Sequence, residues 1–179
     1  MCFTGHRSIY DFGIFDNYGL AKVKLIKILY DEIINKIETH RDHHITFRSG
    51  GAIFIDQLAF ELVDKIKTKY KDMVIINEID IPYIKQHEKW NKEQQEYYNN
   101  LKRKADKLVY VDEQEGYMVN GIEIGEYHVA KLVLRNRYMV DHSDIVIACW
   151  NDKKQGKSGT RNCVKYAYKC NKNIRIINI

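Results

Sequence analysis

Along the chain, short runs of adjacent apolar residues alternate with longer stretches in which apolar residues return every three or four positions. The runs are "MCFT" at the start, then "HITFRSGG", "MVIINEID", "KLVYV", "DIVIACW" and the closing "NIRIINI". Their β-branched, nearly continuous apolar character predicts strands buried on both faces. The periodic stretches predict helices. Residues 19–40 put Leu20, Val23, Ile26, Ile33, Ile34 and Ile37 near helical spacing, and residues 54–70 do the same with Ile55, Leu58, Ala59, Leu62 and Ile66. Residues 89–105 read as a highly polar helix, and residues 127–143 and 159–170 complete the set. Between 112 and 127, turn signals at Gly116, Asn120–Gly121 and Gly125 predict a small hairpin.

Strands alternating with helices at this rhythm predict an α/β protein with a mainly parallel sheet and helices on both faces. The 179 residues suit one Rossmann-like domain spanning 1–179, and no internal repeat or low-complexity linker divides them. In such sheets ligands sit beyond the carboxyl ends of the strands, where the chain order reverses. The loops predicted to meet there are "TGHR", "RSGG", "IPYIKQ" and "WNDKKQGKSGT". Three of the four contain glycine, and together they bring Arg7, Arg48 and several lysines, which points to an anion site.

Charge agrees with that sign. The net charge is +5, and from Asn151 to the end eight Lys/Arg stand against one Asp. A basic region serves a phosphate-bearing ligand, a nucleic acid or solubility alone. No basic stripe interleaved with stacking aromatics supports a nucleic-acid module. "NDKKQGKS" approaches the phosphate loop G-x-x-x-x-G-K-[ST], but Asn151 replaces its first glycine, and Gly159 and Thr160 separate the lysine from the helix pattern. A P-loop NTPase is therefore excluded.

The four cysteines show no C-x-x-C spacing, which favours reduced thiols and a cytoplasmic protein. His40, His43 and His44 lie in a polar link without zinc-ligand spacing, so neither a metal nor a cofactor is expected. No apolar run reaches the length of a membrane span, and "MCFTGHRS" turns polar too soon for a signal peptide.

Five pieces occur in order over nearly the whole chain: "TGHR", "GG" followed by "IDQLAFE", "IPYIKQHEKW", "RNRYMVDHSDIVIACW" and "SGTRNCVKYA". In these the chain resembles the YpsA-like branch of the SLOG superfamily, Rossmann-like proteins related to the Lonely Guy phosphoribohydrolases and the DNA-processing protein A family. Lonely Guy enzymes carry R-K-x-x-M before a strand that ends in P-G-G-x-G-T-x-x-E. Arg135 and Met139 match the first element, with Asn136 in place of its lysine. Gly156, Gly159 and Thr160 match the second, with Gln155 for the proline, Lys157 for the second glycine and Cys163 for the glutamate linked to glycosidic cleavage. A neutral thiol replaces a carboxylate poorly as an acid, or as a partner for an oxocarbenium-like ribose. The resemblance thus implies binding of a nucleotide or nucleotide-derived small molecule, as a sensor or sequestering protein. A nucleotide-processing N-glycosidase is the alternative.

The ligand-binding residues implied are Thr4, Gly5, His6 and Arg7; Ser49, Gly50, Gly51 and Asp56; Pro82, Gln86 and Trp90; Arg135 and Asn136; and Trp150, Gly156, Ser158, Gly159 and Thr160. Read by themselves, several have a second role. Asp56 in a first helical turn serves the helix dipole as well as it serves a ribose hydroxyl. Arg135 has Asp141 and Glu126 as alternative partners. Gln86 and Trp90, four apart, share a helix face that suits a base, although a tryptophan is more often core or interface. The superfamily commonly self-associates, and Trp90, Tyr97 and Tyr98 on the polar helix offer anchors for a dimer.

Overall fold

The computed structural model describes residues 1–8, 18–42, 44–151 and 158–178. Six strands, β1 (Cys2–Gly5), β2 (Ile45–Ser49), β3 (Ile75–Ile81), β4 (Lys107–Tyr110), β5 (Ile145–Cys149) and β6 (Asn173–Ile177), form one sheet in the order β4-β3-β2-β1-β5-β6. Every pairing is parallel. The five helices are α1 (Tyr18–Glu38), α2 (Ile55–Lys67), α3 (Lys92–Lys104), α4 (Val129–Asp141) and α5 (Gly159–Lys169). This is the Rossmann-like α/β architecture that the alternation predicts.

The order fixes where helices go. From β1 the chain steps outward through β2 and β3 to β4, and α1 and α2 pack on one face. It then crosses back through α4 to β5, on the other side of β1, and α4 and α5 cover the opposite face. On the first face Leu25, Leu29, Ile33 and Ile37 of α1 and Ile55, Ala59, Val63 and Ile66 of α2 bury against Phe3, Phe47, Ile145 and Ile147. On the second, Met139, Val140, Cys163 and Ala167 close over Cys2 and Val146. Between β1 and β5 the direction of travel reverses, so their carboxyl ends part and leave a crevice.

Two local expectations are corrected. The turn glycines are real: Gly116, Gly121 and Gly125 all have positive φ. Yet residues 114–128 contain no paired strands. Only four residues separate the first two glycines, too few for a ladder, and the segment is organised by a side chain instead. Lys131 of α4, fully buried, donates to the Glu123 carbonyl at 2.6 Å and to Asp112 Oδ2 at 2.9 Å, and Asp112 Oδ2 also accepts from the Gly125 N–H at 2.8 Å. Second, α3 begins with a capping box between Asn91 and Gln94, so its polar sequence is helical as expected. However, Tyr98 is wholly buried among Phe60, Ile79, Ile81 and Leu101, and Trp90 packs partly against that cluster. Of the three interface anchors expected there, Tyr97 alone is exposed. The sheet needed cover at that end, and Tyr98 on the polar helix, with Trp90 just before it, supplies it.

No helix among the described residues is long and apolar enough to cross a membrane.

Candidate functional site

The crevice between β1 and β5 opens into a cavity of about 500 Å³. Thr4, Gly5, His6 and Arg7 line it where β1 ends, and Trp150 where β5 ends. Ser158, Gly159 and Thr160 line it at the start of α5, with Asp56 from α2 and Arg135 and Asn136 from α4. The walls are tied together across long sequence distances. The His6 N–H donates to the Cys149 carbonyl at 3.2 Å, and the Asn151 N–H donates to His6 Nε2 at 3.1 Å. Thr160 Oγ1 donates to the Gly5 carbonyl at 2.7 Å, which pins the first turn of α5 over the end of β1. Gly5 allows this closeness on the other side, because a Cβ there would lie 2.3 Å from Ile55 Cγ2.

The start of α5 has the form of an anion cradle. Ser158 is the N-cap and accepts from the Arg161 N–H at 3.0 Å, and the turn it opens, Gly159 and Thr160, lines the cavity. Gly159 itself does not need glycine's backbone freedom. Its φ is not positive, and an added Cβ would have Asn136 Nδ2 as its nearest neighbour at 3.7 Å. Any demand for glycine at 159 therefore comes from what enters the cavity. Gly156, expected in the same cradle, lies outside the described residues, as do Lys153, Lys154 and Lys157.

The floor is charged and dry. Asp56 and Arg135 are both buried, with Arg135 Nη1 3.7 Å from Asp56 Oδ2. That oxygen also accepts the N–H of Gly50 at 3.1 Å and of Ala52 at 3.4 Å. Arg135 thus pairs with Asp56 and with neither Asp141 nor Glu126. Asp56 fixes the β2–α2 turn, while burial raises its pKa above the ordinary carboxylate value and the nearby Arg135 opposes the rise. Among the described residues lining the cavity it is the only carboxylate.

Other expected residues stand behind the wall. Ser49, Gly50 and Gly51 do not line the cavity; they shape its floor from beneath. A Cβ on Gly50 would fall 1.2 Å from Arg135 Nη1, so the guanidinium rests where any other side chain would begin. Gly51 has φ +64°, and a Cβ on it would meet Tyr98 Cε2 at 2.6 Å. Pro82, Gln86 and Trp90 do not reach the cavity either. Residues 82–90 form successive three-residue turns, not a helix, so the spacing of four places no common face. Gln86 Nε2 donates to the Gly50 carbonyl at 3.2 Å, and Trp90 stacks edge-on to Tyr98 at 5.2 Å. Gln86 thus holds the glycine turn directly, and Trp90 braces the Tyr98 ring that packs against it.

The position of the Lonely Guy glutamate is closed off. Cys163 is buried among Cys2, Met139, Val146 and Ala167 and does not line the main cavity. Burial pushes its thiol well above the ordinary cysteine range, so it is no thiolate nucleophile.

Sequence reasoning missed Phe3, Ala52, Val129, Leu132, Val133 and Asn162, which complete the lining. On α4 a signal existed. The helix buries Lys131 and Arg135 on one face and leaves Val129 and Val133 exposed on another. This inverts the usual arrangement and turns apolar side chains of the helix toward the cavity.

The comparisons agree with this geometry. The model of the YpsA family, described as the YspA SLOG family, matches residues 1–179. The SPbeta prophage-derived protein YoqJ of Bacillus subtilis is 36% identical over 148 residues, which cover 83% of this chain and 80% of that protein. A UPF0398 protein of Brevibacillus brevis is 26% identical over 157 residues, 86% of this chain and 73% of the relative. A UPF0398 protein of Bacillus cereus is 24% identical over 156 residues, 86% and 74% of the two. With a cavity at the reversal point of a parallel sheet and a family match over its full length, the chain belongs to the YspA SLOG family.

Proposed function

We propose that the protein binds a nucleotide or nucleotide-derived small molecule in the β1–β5 cavity and acts as a sensor or sequestering protein. The observation that carries this reading is the pairing of two unlike ends in one cavity. One end has the start of α5 with Ser158, Gly159 and Thr160, beside Arg7 and Arg135, and suits a phosphate. The other has Val129, Leu132 and Val133 of α4, an apolar wall of the kind a base packs against. A cavity of about 500 Å³ accommodates both parts of such a ligand.

Calorimetric titration with AMP, ADP-ribose and cyclic nucleotides tests it. Arg135→Ala is expected to weaken binding about tenfold or more, since a guanidinium–phosphate contact contributes roughly 1.5–3 kcal/mol. Gly159→Val is expected to abolish binding while the fold stays intact, because the added side chain has room in the free protein and none beside a phosphate. A Gly159→Val protein that binds the same nucleotide with undiminished affinity would remove the phosphate from this cradle.

A second reading has one observation in its favour. Asp56 offers a buried carboxylate on the cavity floor, so a nucleotide-processing N-glycosidase is the alternative. Release of free base from nucleoside monophosphates, abolished by Asp56→Asn, would select it.

A further inference from the structure

On the α4 face of the sheet, behind the cavity floor, Asp80 at the end of β3 and Glu78 two residues before it are shut away from water. Arg48 on β2 is the register partner of Glu78 and donates to it through Nη1, the same nitrogen standing 3.5 Å from Asp80 Oδ1. Arg48 Nε donates to the His142 carbonyl at 3.2 Å, and the guanidinium lies over Tyr138. From β4, Lys107 reaches the second oxygen of Glu78 at 3.3 Å. Glu78 is thus held between two cations. Asp80 has only the edge of Arg48, at 3.5 Å, and neither of its oxygens has a hydrogen-bond partner. Placed against the Glu78 carboxylate, it keeps its position by holding a proton. Burial, and then Glu78, push its pKa up to about 8.

From α4, Arg135 approaches the same region. Its guanidinium rests where a Cβ on Gly50 would begin, one residue past the Ser49–Ile79 register pair and so beside Asp80, and its Nε and Nη1 are buried without a hydrogen-bond partner. On its other side stands Asp56, at 3.7 Å. Among the described residues, Tyr138 on α4 and Cys2 on β1 also feel the charge of Asp80. Two nitrogens of Arg135 and both oxygens of Asp80 thus lack hydrogen bonds, with only longer ion-pair contacts to Asp56 and Arg48. A guanidinium beside a carboxylate makes charge-assisted hydrogen bonds once the acid ionises, roughly twice as strong as neutral ones.

We propose that Asp80 is a proton switch on Arg135: protonated, it leaves the guanidinium to the cavity and its anion, and ionised, it draws the guanidinium inward and disarms the anion site. The proposal rests on the anion-binding reading above. Linkage gives its sign. An anion held by Arg135 favours the protonated acid, so binding near pH 8 takes up a proton, and rising pH weakens binding.

The switch is tested first without ligand. In protein labelled with 15N-arginine, the Arg135 Nε–H resonance is identified by its loss in Arg135→Lys and followed through the alkaline range. It is expected to shift with a midpoint at about 8 in the wild type and to stay flat in Asp80→Asn. Calorimetry with AMP then reads the consequence. The wild-type affinity is expected to fall about tenfold for each pH unit above the midpoint, relative to Asp80→Asn, which carries the same ionisation of AMP itself. An Arg135 resonance that does not titrate, or titrates equally in Asp80→Asn, overturns the switch. A resonance that titrates in a protein that binds no AMP at any pH upholds the switch and sinks the nucleotide reading alone.

Discussion

At pH 8 the Asp80→Asn protein is expected to unfold at a distinctly higher denaturant concentration than the wild type, and below pH 4 the difference should be gone. The sign follows from the raised pKa. In the unfolded chain Asp80 ionises near 3.8, whereas in the fold it keeps its proton to about 8. Between those values the unfolded state gives up a proton that the folded state retains. Wild-type stability therefore falls as pH rises through this window, by about 1.4 kcal/mol for each unit. Asparagine has no proton to lose, and its amide still donates toward Glu78, so its advantage grows over the same window to several kcal/mol. Urea titrations at a series of pH values check this. Parallel pH profiles for the two proteins would mean that Asp80 is ionised in the fold after all.

Gly50→Ala is expected to remove ligand binding and to destabilise the fold through a single neighbour. The new Cβ would stand 1.2 Å from Arg135 Nη1 and 2.8 Å from Asp56 Oδ2, so the guanidinium must leave the floor. Forcing a group into a packed region typically costs about 1–3 kcal/mol. Because the obstruction is the end of one side chain, Arg135→Ala should relieve most of that cost. The double variant should then show a coupling energy of about 1 kcal/mol or more. For AMP affinity, Gly50→Ala should lose at least as much as Arg135→Ala, and the combination little more than either. Additive losses in both measurements would show that Gly50 and Arg135 act independently.

The strands were legible because each is a nearly unbroken apolar run, and the helices because their periodicity is strong. Legibility failed where one pattern served two structures. Gln86 and Trp90 are spaced like neighbours on a helix, but residues 82–90 turn every three residues, and the hydrogen bonds that decide between these are not written in side-chain type. The glycine pair was legible as part of a loop at the strand ends, and what packs against it was not. A ligand was the natural reading, whereas Arg135 and Tyr98 arrive there from α4 and α3, far along the chain. The apolar wall of α4 went unread for a related reason. Val129, Leu132 and Val133 look like core residues until Lys131 and Arg135 are known to occupy the inner face. Of the four loops that the strand-end rule brought together, those after β1 and β5 do line the cavity, from Thr4 to Arg7 and from Ser158 to Thr160, while "RSGG" and "IPYIKQ" stand behind it, away from the reversal point.

The latch made by Lys131 bears on how this molecule opens. The long crossover from β4 to α4 is drawn in at Glu123 and Gly125 by one ammonium and the aspartate it meets, so a long closure is divided into shorter ones. The ammonium belongs to the same helix as Val129, Leu132 and Val133, within one turn of each. The crossover consequently cannot peel away while the first turns of α4 stay docked. Exchange of its amide protons, and cleavage by a protease within it, should then follow a shared opening with the cavity wall, and a ligand that holds the wall shut should slow both from a distance.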